Sequence, residues 1–388
     1  MKIGFLIRYF EPGMGGAENN CYYLARELAN DKKNKVSVFC SGEKEEEEVI
    51  DKIRVFRSRQ IFGLTYYFAF YPSIINKILK ADLDILHVHG FGFIQNDIAI
   101  RKLRKIKPNL KIVCTPHGPF MALKKYGLIP NLLKFLYMPC IRRTLKNCDR
   151  IIKVNPYQQS WITKDYHIPE NKIVFLPNGI TDDALKKLNK NRTDAIAKKY
   201  SLKDKFVISY LGRIQKYKGI DQIIEIMPNL VKIYPEITFV AIGRDAEDMS
   251  RLKKLAKERG VEKNVVFTGE VSEENKFALL DLSEIFIFPS EWEAFGIVVL
   301  EAMARGNAII STRTEGGLYL VKEGENGYLF DYQNKAELLE KIKKIIRNNK
   351  LRTRMQKNNI KKAKSFLWSK IVKDLKRIYD EDYENKKN

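Results

Sequence analysis

The sequence predicts an α/β protein built from two Rossmann-like halves. Its 388 residues are enough for two ordinary domains, and 45% of them are apolar, as in globular proteins. Along both halves, short apolar runs alternate with amphipathic stretches, which is typical of a parallel sheet wrapped by helices. A polar, lysine-rich segment, residues 182–199, lies between the halves and is predicted to be their linker.

The candidate strands of each half are its short apolar runs. In the first half they are residues 2–7, 36–40, 85–89, 111–115, 150–154 and 173–176. In the second half they are residues 206–211, 237–242, 265–268, 285–288, 308–311 and 327–330. Residues 45–48 are consecutive glutamates and are predicted to form an acidic loop. A last stretch with apolar residues at helical spacing predicts a helix after a break near Ser365.

Cysteine usage and hydropathy indicate a cytoplasmic protein. The five cysteines are odd in number and show no Cys-x-x-Cys spacing, so we expect free thiols, and neither disulfides nor structural zinc. The apolar run in residues 1–8 is too short for a signal peptide and is predicted to be the first strand. No uncharged apolar run is long enough to span a bilayer, so an integral membrane protein is not expected.

A formal net charge of +23 favours a polyanionic partner such as nucleic acid, anionic lipid or a phosphorylated substrate. Basic residues concentrate in residues 101–107 and 142–153, beside the aromatic and apolar stretches 61–71 and 120–138. Basic residues that flank apolar helices predict a surface that lies on an anionic membrane. The alternative is a lysine-rich composition on solvated helix faces. Neither zinc-finger spacing nor an aromatic RNA-binding motif supports a nucleic-acid partner.

A glycine-rich turn, residues 11–18, follows the first strand and leads into an amphipathic helix. Turns of this kind bring backbone amides to a helix start, where they bind phosphate. The dinucleotide fingerprint needs a third glycine where this chain has Glu18. The turn is therefore predicted to bind the phosphate of a ligand other than NAD.

A strand, loop and helix junction in the second half carries two glutamates. The run 285–288 is a predicted strand that Pro289 ends, and Gly296 opens an apolar helix whose start attracts anions. Glu293 and Glu301 lie eight residues apart across this junction. A carboxylate can accept hydrogen bonds from both hydroxyls of a ribose.

These motifs resemble those of the retaining, GT-B-fold glycosyltransferases of family 4, also called group 1. The family signature is a glutamate, seven residues and a second glutamate, and Gly212-Arg213, Lys218-Gly219 and the Gly-Gly-Ala-Glu end of the first turn also match the family. The resemblance implies two Rossmann-like domains facing a central cleft, with a C-terminal helix that crosses back. The implied domains are residues 1–182 with helix 366–388, which bind the acceptor, and residues 183–365, which bind the nucleotide sugar.

The resemblance also implies a role for each matching residue. Glu293 would contact hydroxyls of the transferred sugar, and Glu301 would bind the ribose. Arg213 and Lys218 would neutralise the diphosphate, and His117 would approach the sugar or the acceptor. The implied catalytic residues are His117, Glu293, Arg213 and Lys218. The implied donor-binding residues are Gly15, Gly16, Arg213, Lys218, Glu293, Phe295, Gly296, Ile297 and Glu301.

Two further histidines, His87 and His89, end a predicted strand and share one face of the sheet. A metal pair is sterically allowed, but the sequence offers no third ligand nearby. We therefore expect these histidines to serve orientation or packing, and we expect no metal and no cofactor.

The sequence thus predicts a metal-independent hexosyltransferase that moves a sugar from a UDP- or GDP-linked donor to a hydroxyl acceptor with retention of configuration. The expected acceptor is a lipid-linked or cell-surface glycan at the cytoplasmic face of the membrane. Two alternatives remain: a GT-B-fold nucleotide-sugar epimerase and a basic nucleic-acid-binding protein.

Overall fold

The computed structural model describes residues 1–10, 15–63, 67–121 and 127–384, and the chain forms two compact units. Unit 1 comprises Met1–Asn178 and Trp368–Asn388, and unit 2 comprises Gly179–Leu367. The chain therefore leaves unit 1 once and returns to it for its last helix.

Unit 1 contains ten strands and five helices in the described part of its first segment. The strands are β1 (Lys2–Leu6), β2 (Lys35–Gly42), β3 (Glu46–Ile50), β4 (Ile53–Arg59), β5 (Phe62–Gly63), β6 (Ala69–Phe70), β7 (Ile85–His89), β8 (Lys111–Thr115), β9 (Arg150–Lys153) and β10 (Ile173–Phe175). The helices are α1 (Gly16–Ala29), α2 (Ser73–Lys80), α3 (Ile94–Ile106), α4 (Leu128–Lys146) and α5 (Gln158–Lys164).

Unit 2 contains six strands and eight α-helices, and it lies wholly within the described residues. The strands are β11 (Phe206–Leu211), β12 (Ile237–Ile242), β13 (Val265–Gly269), β14 (Ser283–Phe288), β15 (Ala308–Thr312) and β16 (Gly327–Phe330). The helices are α6 (Lys190–Lys199), α7 (Asp221–Ile233), α8 (Met249–Glu258), α9 (Glu273–Asp281), α10 (Ile297–Ala304), α11 (Glu315–Leu320), α12 (Lys335–Arg347) and α13 (Asn349–Ala363).

The main sheet of unit 1 has the strand order β10-β9-β8-β7-β1-β2-β4-β3. Its neighbours run parallel except for the edge strand β3, which is antiparallel to β4. The strand order reverses between β1 and β7, because β2 follows β1 on one side and β7 joins it on the other. Ligands of open α/β sheets bind beyond the carboxyl ends of the strands at such a switch point.

Helices cover both faces of this sheet. Successive side chains of a strand point to opposite faces, so neighbouring residues of β1 enter different cores. Phe5 belongs to a core that also contains residues of α1, such as Leu24. Leu6, the next residue, belongs to a second core that contains residues of α2, α3, α4 and α5. The central strands are therefore apolar on both sides, which explains why they were recognisable as continuous apolar runs.

The last helix, α14 (Trp368–Glu384), completes the α1 side of unit 1. Trp368, Ile371, Leu375 and Tyr379 are buried in the same core as Phe5. Lys111 Nζ on β8 donates hydrogen bonds to the carbonyls of Ile378 and Tyr379 in this helix. The return of the C-terminal helix to the first unit, which the family resemblance implied, is confirmed.

Unit 2 has a parallel sheet of order β13-β12-β11-β14-β15-β16. Its strands are joined in turn by α7, α8, α9, α10 and α11, which makes a chain of β-α-β units. The strand order reverses between β11 and β14, so the carboxyl ends of these two strands form the switch point of unit 2.

All of the candidate strands are confirmed, but two expectations about polar segments are wrong. The acidic stretch is the edge strand β3, because Glu47 and Glu48 pair with Arg54 and Arg57 across the ladder to β4. The predicted linker 182–199 belongs to unit 2 and contains a 3-10 turn and α6. Among the described residues, no helix is long and apolar enough to cross a membrane.

Candidate active site

The switch point of unit 2 brings together a lysine and a glutamate from two different loops. The β11 loop, residues 212–219, ends in a short 3-10 turn that carries Lys218, and the β14 loop, residues 289–296, carries Glu293. Lys218 Nζ donates to Glu293 Oε1. Because β11 and β14 are neighbours in the sheet, residues 75 positions apart in the sequence become an ion pair.

Backbone contacts fix the two loops against each other. The Glu291 amide donates to the Tyr217 carbonyl at 2.8 Å, and Gln222 Nε2 donates to the Pro289 carbonyl at 3.1 Å. Gly219 has φ +67°, and an added Cβ would lie 2.3 Å from the Pro289 oxygen. Only glycine fits this position without a shift of the backbone.

The Lys218–Glu293 pair is largely removed from water. The two side chains are 12% and 16% exposed. Burial lowers the pKa of the Lys218 ammonium, but the Glu293 carboxylate and the Tyr217 hydroxyl outweigh this effect and raise that pKa above its ordinary value. The ammonium therefore stays charged and lies over the Tyr217 and Phe288 rings.

Arg213 lies in the same loop, close to the end of β11, and its side chain is exposed. Its Nη2 atom is 3.5 Å from the Tyr217 hydroxyl, the limit of a hydrogen bond. Gly212 has φ +145°, and an added Cβ would lie 2.7 Å from the Tyr210 hydroxyl, which itself donates to the Arg213 carbonyl. The Gly-Arg pair therefore anchors the backbone while leaving the guanidinium accessible.

The β14 loop ends where α10 begins. Gly296 is the N-cap of α10 with φ +87°, which favours glycine, and Ile297 is the first helical residue. Phe295 is buried against the Tyr319 and Phe366 rings. This packing fixes the direction of α10, whose first amides face the loop that carries Glu293.

Gly316 is a site residue that sequence reasoning missed. Its amide donates to the Glu293 carbonyl at 3.1 Å, and an added Cβ would lie 2.2 Å from the Phe295 oxygen. It therefore holds the glutamate loop in place by close backbone approach. The available signal was the Gly316-Gly317 pair, which lies four residues after the end of a buried strand and marks a turn or a close backbone approach.

Glu301, on α10, has a lysine of its own, which sequence reasoning also missed. Lys276 Nζ on α9 is 2.7 Å from Glu301 Oε1 and 2.6 Å from Glu273 Oε1. Burial raises the pKa of the Glu301 carboxyl, and the Lys276 ammonium opposes that rise. Burial lowers the pKa of Lys276, but Glu301 and Glu273 more than offset it and raise that pKa. No spacing rule links positions 276 and 301, so the pair was not recognisable from sequence.

Gly15, Gly16 and His117 lie in unit 1. Gly15 is the N-cap of α1, where an added Cβ would lie 2.6 Å from Glu18 Oε2, whereas a Cβ on Gly16 would meet open space. The earlier part of the glycine-rich turn, residues 11–14, falls outside the described residues.

Three histidines cluster on the neighbouring strands β7 and β8: His87 lies in the middle of β7, His89 at its end and His117 just after β8. His87 Nδ1 is 2.8 Å from the Tyr379 hydroxyl, and its Nε2 is 2.7 Å from the Thr115 hydroxyl. His89 Nδ1 is 2.9 Å from His117 Nε2. Burial lowers the pKa of His87 and of His117 to about 3, and it holds the pKa of His89 well below its ordinary value. All three rings are therefore neutral at physiological pH.

His117 occupies a strained position. Its φ is +64°, in the left-handed region that costs a non-glycine residue roughly 1–2 kcal/mol, although histidine adopts it more often than most residues. Such strain collects at functional sites. Among the described residues, no group of three or more His, Cys, Asp or Glu side chains is arranged to hold a metal ion.

Comparison with known families accounts for most of the chain. The family described as Glycosyltransferase Family 4 matches residues 14–184, and the family described as Glycosyl transferases group 1 matches residues 191–362. The first match falls mainly in unit 1, and the second falls entirely in unit 2.

Individual relatives are similar over nearly the whole length. An uncharacterized glycosyltransferase of Methanocaldococcus jannaschii is 26% identical over 98% of this chain and 98% of its own length. The GPI3 subunit of the Saccharomyces cerevisiae phosphatidylinositol N-acetylglucosaminyltransferase is 26% identical over 97% of this chain and 82% of its own. The Anabaena protein HepE, solved in complex with UDP, superposes with a TM-score of 0.77 at 17% identity, covering 98% of this chain and 100% of that one. The GT-B fold predicted from the sequence is confirmed.

The buried histidines predict an acid-sensitive unit 1. The unfolded chain protonates His87 near pH 6.5, whereas the folded chain does so only near pH 3, so the unfolded state binds more protons between these values and stability falls as pH falls. His87→Asn should remove about 1 kcal/mol of the stability loss between pH 7.5 and 5.5, measured by urea unfolding. The exposed control His167→Asn should retain the native pH dependence, and equal slopes in all three proteins would contradict the assignment.

Proposed function

Because the chain belongs to glycosyltransferase family 4, the group 1 glycosyltransferases, we propose that it is a retaining transferase acting on a nucleotide diphosphate sugar and a hydroxyl acceptor. The observation that carries this proposal is the Lys218–Glu293 pair at the switch point of unit 2. It sets a cation for a phosphate and a carboxylate for sugar hydroxyls side by side, on loops that backbone contacts hold in place. Unit 2 is thus the donor-binding unit, and unit 1 binds the acceptor.

The diphosphate is the leaving group, and two cations of the β11 loop serve it. Arg213 offers an accessible guanidinium with fork-like geometry, and Lys218 offers a point charge. The amides at the start of α10, from Ile297 onward, add positive potential. Each well-placed donor of this kind can contribute on the order of a hundredfold in rate. Since these groups balance the charge of the diphosphate, the reaction is proposed to run without a metal ion or cofactor.

The two glutamates have separate tasks. Glu293 is held beside the sugar position by Lys218 and by the Gly316 amide at its own carbonyl, so its oxygens can bind hydroxyls of a hexose. Glu301 is buried with Lys276 and is proposed to accept hydrogen bonds from the ribose. HepE, a structural neighbour solved with UDP, supports a UDP-linked donor, and a GDP-linked donor is the alternative.

The acceptor is proposed to be a lipid-linked or cell-surface glycan at the cytoplasmic face of a membrane. Support comes from α4, on which Leu128, Leu132, Phe135 and Leu136 recur at helical spacing and are all exposed, Leu128 at 91% and Phe135 at 75%. Exposed apolar side chains that share one helix face are typical of a surface that binds a membrane or another protein.

Charge around this apolar face suits an anionic bilayer. Helix α4 carries no carboxylate, and exposed Arg143 and Lys146 lie in its last turns. Helix α3 packs against α4 and adds exposed Lys102 and Lys105. Each basic residue near an anionic surface is worth about 1 kcal/mol. The yeast relative, a subunit of a phosphatidylinositol N-acetylglucosaminyltransferase, also supports a lipid-borne acceptor.

Donor binding predicts a nucleotide-dependent thermal shift. UDP, GDP, ADP and their common sugars should be screened, and we expect one nucleotide to raise the unfolding temperature by a few degrees, because a ligand that binds only the folded state stabilises it. Glu301→Ala should abolish the shift, whereas the exposed control Glu262→Ala should keep it. A protein that shifts with none of these ligands would contradict the donor site.

The separate tasks of the glutamates predict different kinetic losses. With the donor that the screen identifies, Glu293→Ala should lower kcat by at least about tenfold with a small change in donor KM, because its contacts matter most in the transition state. Glu301→Ala should mainly raise the donor KM. If both variants showed the same decrease in kcat and the same increase in donor KM, this division of roles would be refuted. Formation of an epimer in acceptor-free incubations would indicate an epimerase instead.

Membrane docking by α4 predicts flotation with vesicles that contain anionic lipid, weaker at high salt. Leu132→Asp/Phe135→Asp should abolish flotation. Two exposed apolar side chains that would enter the lipid, each worth about 1.5–3 kcal/mol when buried, are replaced by charges that the lipid repels. Ile233→Asp, on an exposed apolar residue of unit 2, is the matched control and should float like the native protein. Equal flotation of the α4 variant and the native protein, or no flotation of either, would contradict the proposal.

A further inference from the structure

His89 faces the candidate site residue His117 from the neighbouring strand. The two rings are 5.1 Å apart between centroids and nearly parallel, and their only facing nitrogen atoms, His89 Nδ1 and His117 Nε2, are 2.9 Å apart. His89 itself is 2% exposed and packs between the Phe5 and His87 rings. The contact therefore lies within unit 1, with His89 buried and His117 partly exposed.

This contact contains a single proton. Burial keeps both imidazoles neutral at physiological pH, so each ring carries one N–H and one bare nitrogen. A hydrogen bond between two ring nitrogens needs one of each kind. Fixing the tautomer of one histidine therefore fixes the tautomer of the other.

The second nitrogen of His89 decides between the two arrangements. His89 Nε2 is buried and has no hydrogen-bond partner among the described residues. If His117 were the donor, the proton of His89 would sit on Nε2 as a buried N–H with no acceptor among the described residues. A buried donor without a partner is costly because it has given up its hydrogen bond to water. If His89 is the donor, its Nε2 atom carries no proton, and no buried N–H is left without an acceptor.

We propose that His89 is a positioning residue that donates from Nδ1 to His117 Nε2 and thereby holds His117 in its Nδ1–H tautomer. In this tautomer, the free nitrogen of His117 carries a proton. Granting the proposed transferase function, His117 is then a hydrogen-bond donor to an oxygen of the sugar or the acceptor. It is not a general base, because its bare nitrogen is occupied by His89.

The backbone of the His117 turn fits this role. The residue adopts φ +64° between Pro116 and Gly118, so the ring is directed by a strained turn and not by a regular strand. Strained residues persist where their surroundings fix them. The bond from His89 is one such constraint, and it sets the ring orientation as well as the tautomer.

Nitrogen NMR of the histidine-labelled protein tests the proposal directly. The chain has only four histidines, and single variants assign each signal. Two-bond nitrogen–proton correlations should show His117 as the Nδ1–H tautomer, although the Nε2–H form is the commoner one in water. An Nε2–H signal for His117 in the native protein would overturn the proposal. The experiment needs no substrate, so its result is independent of the proposed function.

Three variants separate positioning from mere packing. His89→Leu fills the space without a donor and should shift His117 toward the Nε2–H form, whereas His89→Asn places an amide N–H near the Nδ1 position and should keep Nδ1–H. Tyr379→Phe removes the hydroxyl bonded to His87 and leaves the His89–His117 contact intact, so it should resemble the native protein. An unchanged His117 tautomer in folded His89→Leu would refute the role.

Activity provides a second readout. With a working donor and acceptor, His89→Leu should lower kcat by about tenfold or more, and His89→Asn should recover to within about threefold of the native value. If His89→Leu fails to fold in thermal unfolding, the native spectrum and the His89→Asn rescue still decide the question. Loss of activity in His89→Asn with a retained Nδ1–H signal would overturn the view that the tautomer is what His89 contributes.

Discussion

A parallel sheet that is buried on both faces restricts polar chemistry to the ends of its strands. In unit 1, alternate residues of β1 enter two different apolar cores, so no strand position in the middle of the sheet is open to solvent. In unit 2, the loops after β11 and β14 carry the charged residues Lys218 and Glu293. The reversal of strand order then brings these two loops together, although many residues separate them in the sequence.

Each of the two candidate glutamates of unit 2 is paired with a lysine. Lys218 serves Glu293, and Lys276 serves Glu301. Breaking a buried pair by removing one partner costs about 3–5 kcal/mol, but replacing the whole pair with apolar residues is often neutral or stabilising. A contribution to folding stability therefore does not by itself explain these pairs. We propose that they instead hold charges in place for a ligand that carries hydroxyls and phosphates.

Sequence patterns predicted the strands well because each is a continuous apolar run, and they failed where charge pairing replaces apolar burial. The edge strand β3 was taken for a loop because its glutamates meet arginines of β4 only across the ladder. Lys276 was missed because its partner, Glu301, lies on another helix. The site residues Glu293, Glu301, Arg213 and Lys218 are predicted from motifs of fixed spacing. The ion pairs that Glu293 and Glu301 form depend on tertiary contacts.

The ion pairs and hydrogen bonds of the candidate residues limit which group can take the proton of the acceptor hydroxyl. The Glu293 carboxylate is paired with an ammonium, Glu301 is paired with another, and the bare nitrogen of His117 is proposed to accept from His89. An acceptor hydroxyl must lose its proton as the new glycosidic bond forms. The departing diphosphate gains negative charge at the same moment, so its oxygens become better proton acceptors as the proton is released. We propose that a phosphate oxygen of the donor takes this proton, with Arg213 and Lys218 balancing the charge that remains.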